Sequence, residues 1–195
     1  MTHLHHILAG FTFGLRFRHD LSRLLLETPL EASLLTIDPE ELKLRGIRAV
    51  ALDFDGVLAA HGAATPLPEA TGWIKRCEEV FGGNQVFILS NKPSYVRIQW
   101  FAENFPAIRF ISGVRKKPYP DGLKKTGELA GIPLSSILMV DDRLLTGCLA
   151  AIVAGARPCY IRQPYVSFRQ RPFSEFFFLT IRIIERFFLR AIAPP

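Results

Sequence analysis

Ile47-Arg48-Ala49-Val50-Ala51-Leu52-Asp53-Phe54-Asp55-Gly56-Val57-Leu58 joins an apolar run to two acids and a glycine. Ile47 to Phe54 reads as a buried strand, because Ala49-Val50-Ala51-Leu52 has no polar residue to give to solvent, as a parallel sheet covered on both faces requires. Gly56 suits a tight turn where the chain leaves the sheet. Upstream, Asp38-Pro39-Glu40-Glu41 is a helix start, with Asp as N-cap, Pro at the first helical position and acids in the first turn. That helix is expected to end near Gly46.

Working outward, strand-like runs recur at Gln85–Leu89, Ile108–Ile111, Ser136–Val140 and Ala156–Ile161. Helical candidates lie between them at Pro68–Phe81, Tyr95–Asn104, Gly122–Ala130 and Leu144–Ala154. Strands alternating with helices of this length predict βαβ units, an α/β class and an open, mainly parallel five-stranded sheet. Ligands of such sheets bind outside the carboxyl ends of the strands. The residues there are Asp53 and Asp55, then Ser90-Asn91, then Lys116-Lys117-Pro118, then Asp141-Asp142. Each group alone is commonplace as a cap, a turn or a solvated charge. Together, in this order, they suit phosphoryl transfer to a carboxylate. A carboxylate attacks a phosphate only when their charges are offset, as Mg²⁺ held by several oxygens can do. A second carboxyl two residues on can carry the proton, while a hydroxyl and an ammonium hold the transferring oxygens.

These motifs resemble those of the haloacid dehalogenase (HAD) superfamily phosphatases. Asp53-Phe54-Asp55-Gly56-Val57-Leu58 matches the first motif, Ser90 the second, Lys117 the third and Asp141-Asp142 the fourth. Ile37-Asp38-Pro39-Glu40-Glu41-Leu42, Leu89-Ser90-Asn91, Arg115-Lys116-Lys117-Pro118 and Asp142-Arg143-Leu144-Leu145-Thr146 make the chain similar to the YqeG family of subclass IIIA phosphatases over roughly residues 30–165. The resemblance implies a three-layer Rossmann-like fold and Mg²⁺ as cofactor. It makes Asp53 the nucleophile that becomes an aspartyl phosphate and a metal ligand. It makes Asp55 the general acid/base and, through its carbonyl, a second ligand. Ser90 would bind phosphoryl oxygens with Asn91 supporting it, and Gly56 would face the phosphate. Lys117 would neutralise charge, and Asp142 would be the acidic ligand of the fourth motif. Kinship with phosphatases of phosphatidylglycerophosphate implies that lipid as a substrate.

Two departures from the family pattern bear on catalysis. Relatives commonly have Gly-Asp where this chain has Asp141-Asp142, and a second Asp where it has Gly147. Asp141 is the candidate replacement; without one, a weakly catalytic or scaffold protein is the alternative. Arg143, often uncharged in relatives, either adds a cation beside the site or points to solvent. Only 36 residues separate Asp53 from Ser90 and 26 separate Ser90 from Lys117, which leaves no room for a cap domain. Capless members of the superfamily tend to act on large or surface-presented substrates, and protein, nucleic-acid ends and soluble phosphates stay open beside lipid.

Composition fits this picture. The 195 residues, 49% hydrophobic and 22% charged with 16 Phe, exclude a disordered chain. Cys77, Cys148 and Cys159 are too few for a disulfide framework or a zinc site and suit a reducing compartment. The net charge of +6 is unevenly placed: seven Arg and two acids fall within residues 157–195. Three segments follow: an apolar helical arm over 1–35, a phosphatase domain over 36–165 and an Arg/Phe-rich helix over 166–195. The arm lacks the basic start and unbroken apolar centre of a secretory signal. Its His3, His5 and His6 read as surface or interface residues. In Phe173 to Ile192 one side carries Glu175, Arg182, Glu185, Arg186 and Arg190, and the other Phe176, Phe177, Ile181, Ile183, Ile184, Phe187 and Phe188. Such a helix lies in an anionic bilayer surface or packs on the domain or a second copy of the chain. The expected location is cytoplasmic, peripheral on the inner face of the membrane; nucleic acid is disfavoured as a partner.

Overall fold

A computed structural model describes residues 2–91 and 93–192, with side chains from residue 8 onward, so His3, His5 and His6 lie outside the described side chains. The elements run α1 (Thr2–Arg16), α2 (Arg18–Glu27), α3 (Pro39–Leu44), β1 (Ala49–Leu52), α4 (Pro68–Phe81), β2 (Val86–Ile88), α5 (Tyr95–Asn104), β3 (Arg109–Phe110), α6 (Asp121–Ala130), β4 (Ile137–Asp141), α7 (Leu149–Ala154), β5 (Arg157–Tyr160) and α8 (Pro172–Ile192). α3 starts as its sequence dictates: the Asp38 carboxylate accepts from the Glu40 N–H at 2.8 Å, and Pro39 opens the first turn. The candidate helix over Leu144–Ala154 divides into a π-turn over Leu144–Cys148 and α7.

The sheet has five strands in the order β3-β2-β1-β4-β5, and every neighbouring pair is parallel. β1 is buried along its whole length, which explains its unbroken apolar run. Alternation then divides the strands between two cores. Val50, Leu52, Val86, Ile88 and Val140 face Ile74 and Trp73 of α4 and Phe101 of α5. Ala49, Ala51, Phe87 and Met139 face Leu123 of α6 and Ala150 and Ala151 of α7. Helix, sheet and helix make three layers. The 53–90 and 90–117 intervals are filled by α4 with β2 and by α5 with β3, with no inserted cap.

The terminal helices share a third core. Leu21 and Leu25 of α2 and Leu189 of α8 pack with Leu144, Leu145, Leu149 and Tyr160. Each fully buried Leu contributes about 1.5–3 kcal/mol, so this contact fixes α8 to the domain. α8 is turned opposite to the usual amphipathic arrangement. Its polar residues Glu175, Arg182 and Glu185 are buried, while Phe173, Phe176, Phe177, Ile183, Ile184 and Phe187 are exposed. The polar side faces inward because it meets the carboxyl end of the sheet, where charged partners wait. No described helix is long and apolar enough to cross a membrane.

Candidate active site

Strand register assembles the site. Leu52 pairs with Ile88 on one side and Val140 on the other, so the segments that follow leave the sheet together at its carboxyl end. The Asp53 N–H donates to the Val140 carbonyl at 3.0 Å, and the Leu89 N–H to the Leu52 carbonyl at 2.8 Å. Carboxylate oxygens of Asp53, Asp141 and Asp142 thereby come within 4.8 Å of one another. Lys117 is driven between two of them, its Nζ 2.6 Å from Asp141 Oδ2 and 3.1 Å from Asp53 Oδ1. Ser90 is buried at the end of β2. Asn91 acts on Lys117: its Oδ1 accepts from the Lys117 N–H at 2.8 Å and its Nδ2 donates to the Lys117 carbonyl at 3.3 Å. Asn91 thus clamps the lysine loop, whose Lys117-Pro118 peptide is cis.

The charges are tightly balanced. Burial raises the Asp53 carboxyl well above the usual carboxylate range; Lys117 opposes this, and Asp141 and Asp142 add to it. Burial alone would lower the Lys117 ammonium, but the carboxylates of Asp141 and Asp53 more than reverse it, so it stays charged. Burial pushes Asp142 up to about 6 against the pull of Arg182.

Gly56 and Gly147 show why small residues stand here. Gly56 has φ +83°, and a Cβ on it would run into the Asp142 carboxylate. A Cβ at Gly147 would run into the Asp141 carboxylate. Asp141 therefore fills the space into which a side chain at 147 would project. Arg143 does not point to solvent: its Nε donates to Glu185 of α8 at 2.9 Å, and its backbone N–H to Asp141 Oδ1 at 2.8 Å.

Asp55 is paired with a buried arginine. Its two carboxylate oxygens accept from Arg97 Nη1 at 3.0 Å and Nη2 at 2.7 Å, and Oδ1 also accepts from the Gly62 N–H at 2.9 Å. Arg97 is itself held over the Phe54 ring at 3.8 Å and bonded to the Ala63 carbonyl. Burial raises the Asp55 carboxyl, but these bonds outweigh it and the net shift is downward. Such a folded-state depression supplies stability above the unfolded value of about 4 and loses it as pH falls through the lower folded value. Arg97→Met is accordingly expected to cost about 2–4 kcal/mol at neutral pH. Urea titrations should show the gap between wild type and variant narrowing below pH ~4.

Sequence reasoning missed Arg97, Arg182, Glu175 and Glu185. Arg182 Nε donates to Asp142 Oδ2 at 2.6 Å, and both side chains are 1% exposed. Glu175 Oε1 accepts from the His61 N–H at 3.1 Å, while the His61 ring stacks on Phe178 at 3.7 Å. Helical periodicity groups Glu175, Arg182 and Glu185 on one side of α8 without tying that side to the site, and nothing in the sequence marks Arg97.

Asp53, Asp141 and Asp142 offer only oxygen donors, the chemistry that suits Mg²⁺. Asp142 Oδ1 is buried and has no hydrogen-bond partner, an acceptor a cation would satisfy. The residues present fit that ion.

An all-parallel sheet with acids at the ends of its two central neighbours defines a doubly wound α/β protein whose site lies where the connections part to either side. The haloacid dehalogenase-like hydrolase family matches residues 12–155. The chain belongs to that family and is a hydrolase. No curated protein matches the sequence. Among solved structures it is similar to an uncharacterized protein from Corynebacterium glutamicum, at 21% identity, covering 70% of this chain and 96% of that one with a TM-score of 0.47. It is also similar to a HAD family enzyme from Bacteroides thetaiotaomicron in complex with magnesium and inorganic phosphate, at 16% identity, 59% and 94% coverage and a TM-score of 0.40. A HAD family hydrolase from Deinococcus radiodurans with bound phosphate and sodium matches at 17% identity, 58% and 80% coverage and a TM-score of 0.38.

Proposed function

We propose that the protein is a Mg²⁺-dependent phosphomonoester hydrolase that works through a phosphorylated Asp53 on a membrane-presented substrate. The resemblance to the YqeG family of subclass IIIA phosphatases favours phosphatidylglycerophosphate. The observation that carries the reading is the buried Lys117 between Asp53 and Asp141, with the unpartnered Asp142 Oδ1 beside them. Asp141 in the space beside Gly147 supports turnover over a scaffold role.

Bound Mg²⁺, held by Asp53, Asp142 and the Asp55 carbonyl with Asp141 beside them, would offset the charge of nucleophile and phosphate. Asp53 attacks phosphorus and the bond from phosphorus to the alcohol oxygen breaks. Lys117 and Ser90 steady the phosphoryl oxygens. Asp55 gives the departing oxygen its proton, then takes one from the water that attacks phosphorus, breaking the bond to Asp53 and releasing inorganic phosphate. Held ionised by Arg97, Asp55 is ready for the second transfer; for the first, one oxygen leaves the Arg97 fork and takes up a proton from solvent before the alcohol departs.

The outer side of α8 supports a lipid surface as the place of work. The exposed Phe173, Phe176, Phe177, Ile183, Ile184 and Phe187 continue towards Leu8, Phe11 and Leu15 of α1, with Phe11 against Phe188 at 5.4 Å. Both acids of α8 are buried, whereas Arg169, Arg171 and Arg190 at its ends are exposed, a charge that complements anionic lipid. A phosphate-release panel with Mg²⁺ tests both parts. Phosphatidylglycerophosphate in anionic vesicles is expected to turn over at least tenfold faster than sugar, nucleotide or peptide phosphates. Phe177→Asp with Phe187→Asp should lower the vesicle rate and spare the soluble ones. Equal rates on soluble substrates would remove the lipid assignment; no release from any phosphomonoester would remove the phosphatase.

A further inference from the structure

Arg182 lies outside the family's matched span of 12–155, yet it reaches the acid that the reading above makes a metal ligand. It comes from the inward side of α8, 40 residues along the chain from Asp142. Its Nε takes Asp142 Oδ2 at 2.6 Å, and Nη2 lies against the same oxygen. Only Nε makes a hydrogen bond; Nη1 and Nη2 are buried without one, and Asp142 Oδ1 likewise stays buried without a partner. Gly56 stands against this arrangement: a Cβ there would collide with Asp142 and come within 3.0 Å of Arg182 Nη2. An arginine placed only to anchor a helix to an acid would more naturally use its fork on both oxygens.

We propose that Arg182 is a positioning residue for the cation site: it holds Asp142 by Oδ2 so that Oδ1 is presented to the metal. The inference rests on the cation site of the proposed function. A partner behind a ligand fixes the ligand's orientation, and losing one typically costs 10–100-fold in metal affinity. It also gives α8 a part in the site: the helix whose outer side is apolar carries on its inner side the group that sets the fourth-motif carboxylate.

Titration of the full-length, metal-free protein with Mg²⁺ by calorimetry tests this without reference to turnover. Arg182→Met is expected to weaken Mg²⁺ binding tenfold or more. Leu189→Ala, which loosens α8 without touching Asp142, should stay within about twofold of wild type, because no partner of the ligand is altered. Binding by Arg182→Met as tight as wild type, or tighter, would make the guanidinium a mere counter-charge and overturn the inference alone. An equal loss in Leu189→Ala would reduce the effect to helix docking and overturn it too. A wild-type protein with no saturable Mg²⁺ binding would remove the cation site, and the proposed mechanism with it.

Discussion

Asp53→Asn is expected to reduce phosphate release by at least 10³-fold and to leave the fold intact. Asp53 stands at the end of the central strand, and its Oδ1 already accepts from the Phe54 N–H at 2.8 Å and faces Lys117. An amide keeps the size and an acceptor oxygen, so the strand end loses little. It cannot attack phosphorus, and no other described carboxylate stands in for it: Asp141 is bonded to Lys117 and the Arg143 N–H, Asp142 to Arg182 and Asp55 to Arg97. Because burial disfavours the charged Asp53 side chain, the neutral variant should be as stable as wild type or more so when metal-free. Retained turnover alongside a cooperative melt would exclude Asp53 as nucleophile.

Lys117→Met carries the second large effect, and here stability and activity should fall together. The ammonium is 3% exposed and bridges two carboxylates, so its loss strands both. Removing one partner of a buried ion pair costs about 3–5 kcal/mol, because a charge stays behind without compensation. For catalysis, an ammonium aimed at the charge that develops in the transition state supplies about 10²–10³ in rate. Denaturant titration and initial rates with added Mg²⁺ separate the two losses. If the variant remains folded at wild-type stability, the carboxylates are not relying on Lys117, and the electrostatic account of the site fails.

Much of this was legible in the residues. The helices over Pro68–Phe81 and Tyr95–Asn104 match the expected spans, since both carry clear periodicity and a start signal. The strand over Ile108–Ile111 shrinks to Arg109–Phe110, because it lies at the sheet edge with pairing on one side only. The acids at the ends of β1 and β4 could be placed because apolar runs announce the strands before them. The arginines could not. Arg97 follows the start of a helix and Arg182 sits in a periodic one, positions where an arginine usually meets solvent. Periodicity divides α8 into two sides without saying which faces inward. That choice depends on the buried Asp142 just after β4, far along the chain, which takes Arg182 and leaves seven large apolar residues of α8 exposed.

Chemical identification of the phosphorylated group during turnover tests the central claim most directly. Acid quenching in the steady state, borohydride reduction and peptide mass spectrometry convert a phosphorylated aspartate into homoserine that can be located in the sequence. The expected result is homoserine at position 53, dependent on both Mg²⁺ and a phosphomonoester, and absent from Asp53→Asn. Turnover with no homoserine at 53, or with the modification at Asp55 instead, would contradict the account.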